Sequence, residues 1–207
     1  MKKVRKKSAV AREGGSAKPN AIVLAGLQLF TRYGYRKTSI DDIALAAQVA
    51  KRTVYLHFEN KAAVFLAILE FLGDQVRQRC AAAEGARGTA VERLTGLLSA
   101  YFGMAFEVFS KSEHVPELEE TFSKLARARI GDLNREYEDR LARFLRSLEK
   151  AGDIGGPPQG LSVEQIVHIL MRTAEGAKYD PKMHGDQKAL ERRLRELAIL
   201  AIAAMKK

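Results

Sequence analysis

The 207-residue chain has one cysteine, no tryptophan and only five prolines. With no second thiol available, Cys80 cannot join an internal disulfide, and a reducing compartment is the default reading. Long apolar runs are also missing. The longest, Leu197–Met205, has nine residues, against the roughly 18 that suggest a membrane span. The start, MKKVRKKSAVAREGG, has the charged front of a signal peptide without the apolar run behind it. Neither an internal repeat nor an alternating strand pattern occurs. Paired carboxylates, a nucleophile beside a base and a metal-ligand spacing are absent beyond chance, so no catalytic residue, cofactor or metal ligand is assigned. An all-α enzyme therefore ranks last among the readings. What is expected is a soluble, basic protein of the cytoplasm.

What is present is a core and an uneven charge. Apolar residues make up 46% of the chain and charged ones 29%, ample for packed structure and too apolar for wholesale disorder. The length fits one large domain or a small one fused to a medium one. The net charge is +10. Residues 1–61 carry 13 Lys or Arg against 4 Asp or Glu, whereas residues 62–207 carry 22 against 21. Such a split points to a basic region that meets polyanions, followed by an ordinary solvated surface. Residues 1–18 hold Lys2, Lys3, Arg5, Lys6, Lys7, Arg12 and Lys18 against Glu13 alone. Their composition predicts a disordered basic arm. It is either a passive tail or a segment that reaches a minor groove or phosphates.

The remainder reads as helices. Ile22, Gly26, Leu29, Phe30 and Tyr33 recur at helical spacing after Pro19, which suits a first turn, and Gly34 suits a left-handed stop. Thr38 or Ser39 can cap a second helix with Asp41 and Asp42 in its first turn, continuing through Ile43, Ala44 and Ala47. A turn at Gln48–Val49 leads to a short helix from about Ala50 to His57, and Asn60 can cap a fourth through Val64, Phe65, Ile68, Leu69, Leu72 and Val76. Thr89 with Glu92 forms a capping box ahead of a helix reaching Phe102. Pro116 starts another. Residues 127–148 read as a long amphipathic helix with a break near Gly131, and GDIGGPPQG, residues 152–160, as a loop. Ser162 with Gln165 caps a helix carrying Val163, Ile166, Val167, Leu170 and Ala174. Leu190, Leu194, Leu197, Ile202 and Met205 lie on the last helix, after a loop over residues 179–186.

Three short helices and a long one, with a tight turn between the second and third, describe a helix-turn-helix on its supports. Residues 22–69 carry Leu29-Phe30, Gly34-Tyr35, Thr38-Ser39 before Asp42-Ile43-Ala44, Val49, Lys51, Tyr55, and His57-Phe58 before Asn60-Lys61. This ordered combination resembles the DNA-binding domain of the tetracycline-repressor (TetR) family. Two positions depart from that pattern. Gln48 stands where the family usually has Gly, which strains or reshapes the turn. Ala50 stands where it usually has Ser, which forfeits a cap of about 0.5–2 kcal/mol.

In the third helix Val54 and Phe58 share one face and can pack on Ile43 and Phe30. The opposite face presents Arg52, Thr53, Leu56 and His57, with Lys51 at its start. Such a helix can lie in a major groove. Arg52 suits guanine O6 and N7, while Thr53 and Leu56 suit thymine methyls. The resemblance implies phosphate or groove contacts by Lys51, Tyr55, His57 and Lys61, and adds Thr38 and Ser39 to the DNA-binding set. The plainer alternative makes Tyr55 and His57 packing residues and leaves Lys51 and Lys61 solvated.

The resemblance also implies an architecture: a helix-turn-helix domain over residues 19–61, joined by a long helix to a helical effector-binding and dimerisation domain over 62–207. The last two helices would pair with those of a second copy in a homodimer. Two recognition helices would then lie about 34–36 Å apart on a palindromic duplex operator. Gly176 is either a close-approach point or a helix end. Candidate lining for a small apolar or amphipathic effector is Tyr101, Phe102, Met104, Phe122, His168, Met171 and Arg172. Asp180, His184 and Asp186 lack a ligand spacing and read as a solvated loop rather than a metal site. The leading expectation is a repressor released by a ligand. A DNA-binding protein of the same fold with a protein partner or an architectural role is the alternative, and activator action also stays open.

Overall fold

A computed structural model describes residues 13–176 and 186–205, and these contain helices and no strand. The chain divides into two compact units, Met1–Phe71 with Glu113–Leu125, and Leu72–Ser112 with Ala126–Lys207. Most of the expected basic arm and most of the loop before the last helix lie outside the described residues.

The first unit holds α1 (Glu13–Tyr33), α2 (Ile40–Ala46), α3 (Lys51–His57), the start of α4 (Lys61–Gly85) and α7 (Val115–Leu125). α1 begins at Glu13, six residues before the expected start, so Pro19 falls inside the helix. There it removes one N–H from the backbone ladder instead of marking the first turn. Gly34 ends α1 at φ 84°, its N–H donating to the Phe30 carbonyl at 3.0 Å. Ile22, Phe30, Ile43, Val54, Val64 and Phe65 are almost wholly buried, each contributing roughly 1.5–3 kcal/mol of hydrophobic stabilisation. Phe30, Tyr35 and Phe65 form a mutual ring cluster with centroids 5.2–5.7 Å apart. Phe122 of α7 adds to it, 4.4 Å from Phe65.

The second unit contains the rest of α4, then α5 (Ala90–Leu98), a π-helical segment (Ser99–Gly103), α6 (Met104–Phe109), α8 (Arg127–Ala151), α9 (Val163–Gly176) and α10 (Gln187–Ala204). The Thr89–Glu92 and Ser162–Gln165 caps form as their spacing predicts. Asp186 caps α10 by accepting from the Ala189 N–H at 3.0 Å. Its expected loop companions, Asp180 and His184, lie outside the described residues. α8 runs unbroken through Gly131 to a left-handed Gly152. One interior glycine costs about 1 kcal/mol, which burial of Tyr137, Leu141, Phe144, Leu145 and Leu148 along the same helix offsets. These side chains join Leu94, Leu97, Leu98, Phe102, Val167, Leu170, Leu190 and Leu194 in one core.

Candidate nucleic-acid interface

The helix-turn-helix is assembled from α2 and α3. Ser39 caps α2 in a reciprocal box: its hydroxyl accepts from the Asp42 N–H at 3.1 Å, and the Asp42 carboxylate accepts from the Ser39 N–H at 2.8 Å. Hydrogen bonds from the Ser39 side chain and backbone hold the Asp42 carboxyl below its ordinary pKa. α2 ends in a Schellman motif. The Val49 N–H reaches the Ala44 carbonyl at 3.0 Å, and the Gln48 N–H reaches that of Leu45 at 3.1 Å. Gln48 takes the left-handed position at φ 55°. The glycine-type turn is therefore kept and strained rather than reshaped, at a cost of about 1–2 kcal/mol. Ala50 precedes α3 with no side-chain cap, as its methyl dictates.

α3 is fixed by one residue. Val54 is fully buried, Phe58 is half-buried behind it, and the other faces turn outward. Arg52 and His57 are exposed, Leu56 is 72% exposed and Tyr55 50%, and Thr53 is half-buried beside them. An exposed leucine and tyrosine flanking an arginine on a short basic helix form a surface fit for base edges and thymine methyls. Lys51 is exposed at the start of the helix and pairs with Asp41 at 2.9 Å. That pair raises the Lys51 pKa, chiefly through the hydrogen bond.

Two residues expected among the DNA contacts sit elsewhere. Thr38 is 3% exposed, and its hydroxyl donates to the Gly34 carbonyl at 2.8 Å. It braces the α1–α2 turn from inside. Lys61 is half-buried, its ammonium donating to the carbonyls of Tyr35 at 2.7 Å and Thr38 at 2.8 Å, and more distantly to Arg36 at 3.4 Å. It also lies 4.4 Å from the Tyr35 ring centroid. Burial lowers the Lys61 pKa, with the Glu117 charge opposing. Its donors are committed to the turn rather than held out toward phosphate. Ser39 is exposed, with its hydroxyl engaged in the capping box.

The expected effector-lining residues separate in the same way. Phe102, Met104 and Met171 are buried in the second unit's core. Tyr101 lies on the π-helical segment, a rare element that concentrates at functional sites. Its ring stacks on Tyr137 at 4.3 Å, and its hydroxyl donates to the Asn134 side-chain carbonyl. Burial pushes its pKa up to about 12. Phe122, by contrast, belongs to the first unit. His168 and Arg172 are exposed. Arg172 pairs with Glu175 at 2.7 Å. His168 lines an open hollow with Glu138, Leu161, Glu164, Gln165 and Ile169. Asn134 and Tyr137, which meet Tyr101, give no signal of their own in the sequence because each sits as an ordinary member of the α8 stripe. Among the described residues no group of three or more His, Cys, Asp or Glu is arranged to hold a metal, and no helix is long and apolar enough to cross a membrane.

A paired helix-turn-helix whose second helix exposes its basic and apolar face defines a DNA-binding protein. Residues 22–68 match the family described as bacterial regulatory proteins, tetR family. The HTH-type transcriptional repressor DhaR of Mycobacterium sp. (strain GP1) is 26% identical over 172 residues, spanning 82% of this chain and 85% of DhaR. The fatty acid metabolism regulator protein of Bacillus subtilis (strain 168) is 26% identical over 159 residues, spanning 74% and 78%. The fold matches the crystal structure of the transcriptional regulator FadR from Bacillus subtilis in complex with stearoyl-CoA, with a TM-score of 0.59, 21% identity and coverage of 89% and 98%. Over residues 22–68 the chain carries the DNA-binding domain of the TetR family. It is a transcriptional regulator and not an enzyme.

Proposed function

We propose that this regulator is a cytoplasmic repressor that pairs on an inverted-repeat operator and leaves it when the second unit takes up a small apolar or amphipathic molecule. The observation that carries the DNA half is the outward face of α3, where Arg52, Leu56 and His57 are exposed around the buried Val54 anchor. Arg52 reads a guanine, Leu56 and Thr53 meet thymine methyls, and Lys51, Tyr55, His57 and Ser39 face the phosphates. Pairing through α9 and α10 is supported by the apolar residues these helices leave exposed, Ile169, Ile199 and Leu200. A two-fold dimer places its recognition helices one DNA turn apart, about 34–36 Å.

For the effector, the stacked Tyr101–Tyr137 pair and Asn134 supply polar anchors beside the second unit's apolar core. Relatives named for fatty acid metabolism and a stearoyl-CoA complex of the same fold support a long-chain acyl compound. Binding that favours one spacing of the recognition helices shifts the population away from DNA. The test is a gel shift on palindromes from the chain's own upstream region, repeated with stearoyl-CoA. The expected result is salt-sensitive, sequence-specific binding that the acyl compound reverses. Absence of specific binding at every such site overturns the repressor reading, and binding indifferent to acyl compounds overturns that effector class.

A further inference from the structure

The α1–α2 turn carries more support than a surface turn needs. Its carbonyls at Tyr35, Arg36 and Thr38 face the Lys61 ammonium. On the donor side, the Arg36 N–H donates to the Glu117 carboxylate at 2.6 Å, and the Arg36 guanidinium pairs with Glu120 at 2.8 Å. Glu117 is 22% exposed and packs so closely on Gly34 that a Cβ there would lie 2.5 Å from its Oε2. Both carboxylates belong to α7, whose Phe122 seals the ring cluster at Phe65. α7 is more than 40 residues further along the chain than Phe71, where the first unit's main segment ends. The chain leaves that unit, returns to it with Glu113–Leu125, and leaves again.

From this arrangement we propose that Glu117 is a positioning residue for DNA recognition, with Glu120 as its auxiliary. α7 clamps the α1–α2 turn by its N–H and guanidinium donors while Lys61 holds the carbonyls. The turn fixes where α2 begins, and α2 and α3 form one helix-turn-helix, so the clamp sets the angle at which Arg52 and Leu56 meet the groove. A reading surface of this kind tolerates displacements of only about 0.5 Å. The inference rests on the DNA-binding role of α3.

The test uses the full chain and a duplex that the wild-type protein enriches from a random pool, compared with a scrambled duplex of equal length. Failure of the wild-type protein to enrich any sequence strikes the DNA-binding reading itself. If it enriches one, the ratio of specific to scrambled affinity decides the clamp. A merely structural role lowers both affinities together by reducing the folded fraction, whereas a mispositioned α3 lowers the ratio. Glu117→Ala should reduce that ratio about tenfold, within the range typical of site coupling. Glu117→Gln, whose amide oxygen can still accept from the Arg36 N–H, should retain most of it. Glu120→Ala, an exposed change that leaves the fold intact, should lower it about threefold, and decides the matter if Glu117→Ala does not fold. A ratio unchanged in Glu120→Ala and in any folded Glu117→Ala, or lost equally in Glu117→Ala and Glu117→Gln, overturns the proposal.

Discussion

Two turns hold the DNA-reading unit together, and each carries one residue at positive φ: Gly34 at 84° between α1 and α2, and Gln48 at 55° between α2 and α3. The α2–α3 turn is self-sufficient. Its two Schellman bonds satisfy it with backbone alone, within six residues. The α1–α2 turn is supported from outside by Lys61, about 25 residues on, and by Glu117 and Glu120, more than 80 residues on. The difference decides what basic and acidic residues near a helix-turn-helix are for. Lys51 and Lys61 look alike in sequence, yet Lys51 is exposed at the start of the reading helix and Lys61 is enclosed by carbonyls.

The contrast is broken most forcefully at Lys61. Lys61→Ala should cost about 1.5–3 kcal/mol of stability, the range for hydrogen bonds to a charged group, because it leaves the turn's carbonyls without their donor. Chemical denaturation measures it. A loss below about 0.5 kcal/mol, the scale of an ordinary surface substitution, would return Lys61 to the solvated surface. At the other turn the sign reverses. Gln48→Gly relieves the left-handed strain while adding chain entropy, for a net stabilisation of about 0.5–1 kcal/mol in the same assay. Destabilisation there would mean that the Gln48 side chain supports the turn in a way its backbone does not. The smallest stability effect belongs to Lys51. Its pair with Asp41 is exposed on both sides, so Lys51→Ala should change stability by under about 1 kcal/mol. It should instead lower the salt slope of DNA binding by about one ion. An unchanged slope would show that Lys51 does not reach phosphate.

Which parts of this were legible follows from distance along the chain. Caps are local, so Ser39–Asp42, Thr89–Glu92 and Ser162–Gln165 are readable at i,i+3 spacing, and so is the left-handed Gly34. Val54 as the inward residue of α3 follows from helical period alone. The inward place of Thr38 is hidden because a threonine before an N-cap looks exposed until Gly34 is seen four residues behind it, accepting its hydroxyl. The place of Lys61 is hidden because nothing near it in sequence shows the carbonyls it meets. The π-helical segment leaves no period of its own within a helix of apolar residues, and so the run from Leu94 to Phe102 reads as unbroken α-helix. Phe122 and His168 look equally fit for a pocket by residue type. Only the return of α7 to the first unit, and the outward side of α9, separate them from Tyr101 and Met171.

On the proposed function, the outward face of α3 reads duplex DNA, with Arg52 as its most specific contact. Selection from a random duplex pool by the wild-type chain and by Arg52→Ala, run side by side, tests it most directly. The wild-type protein should enrich an inverted repeat, and the variant should lose the guanine preference at one position of each half-site, worth about 1–3 kcal/mol, while keeping the others. An identical preference from both proteins, or no enrichment by either, would contradict the account.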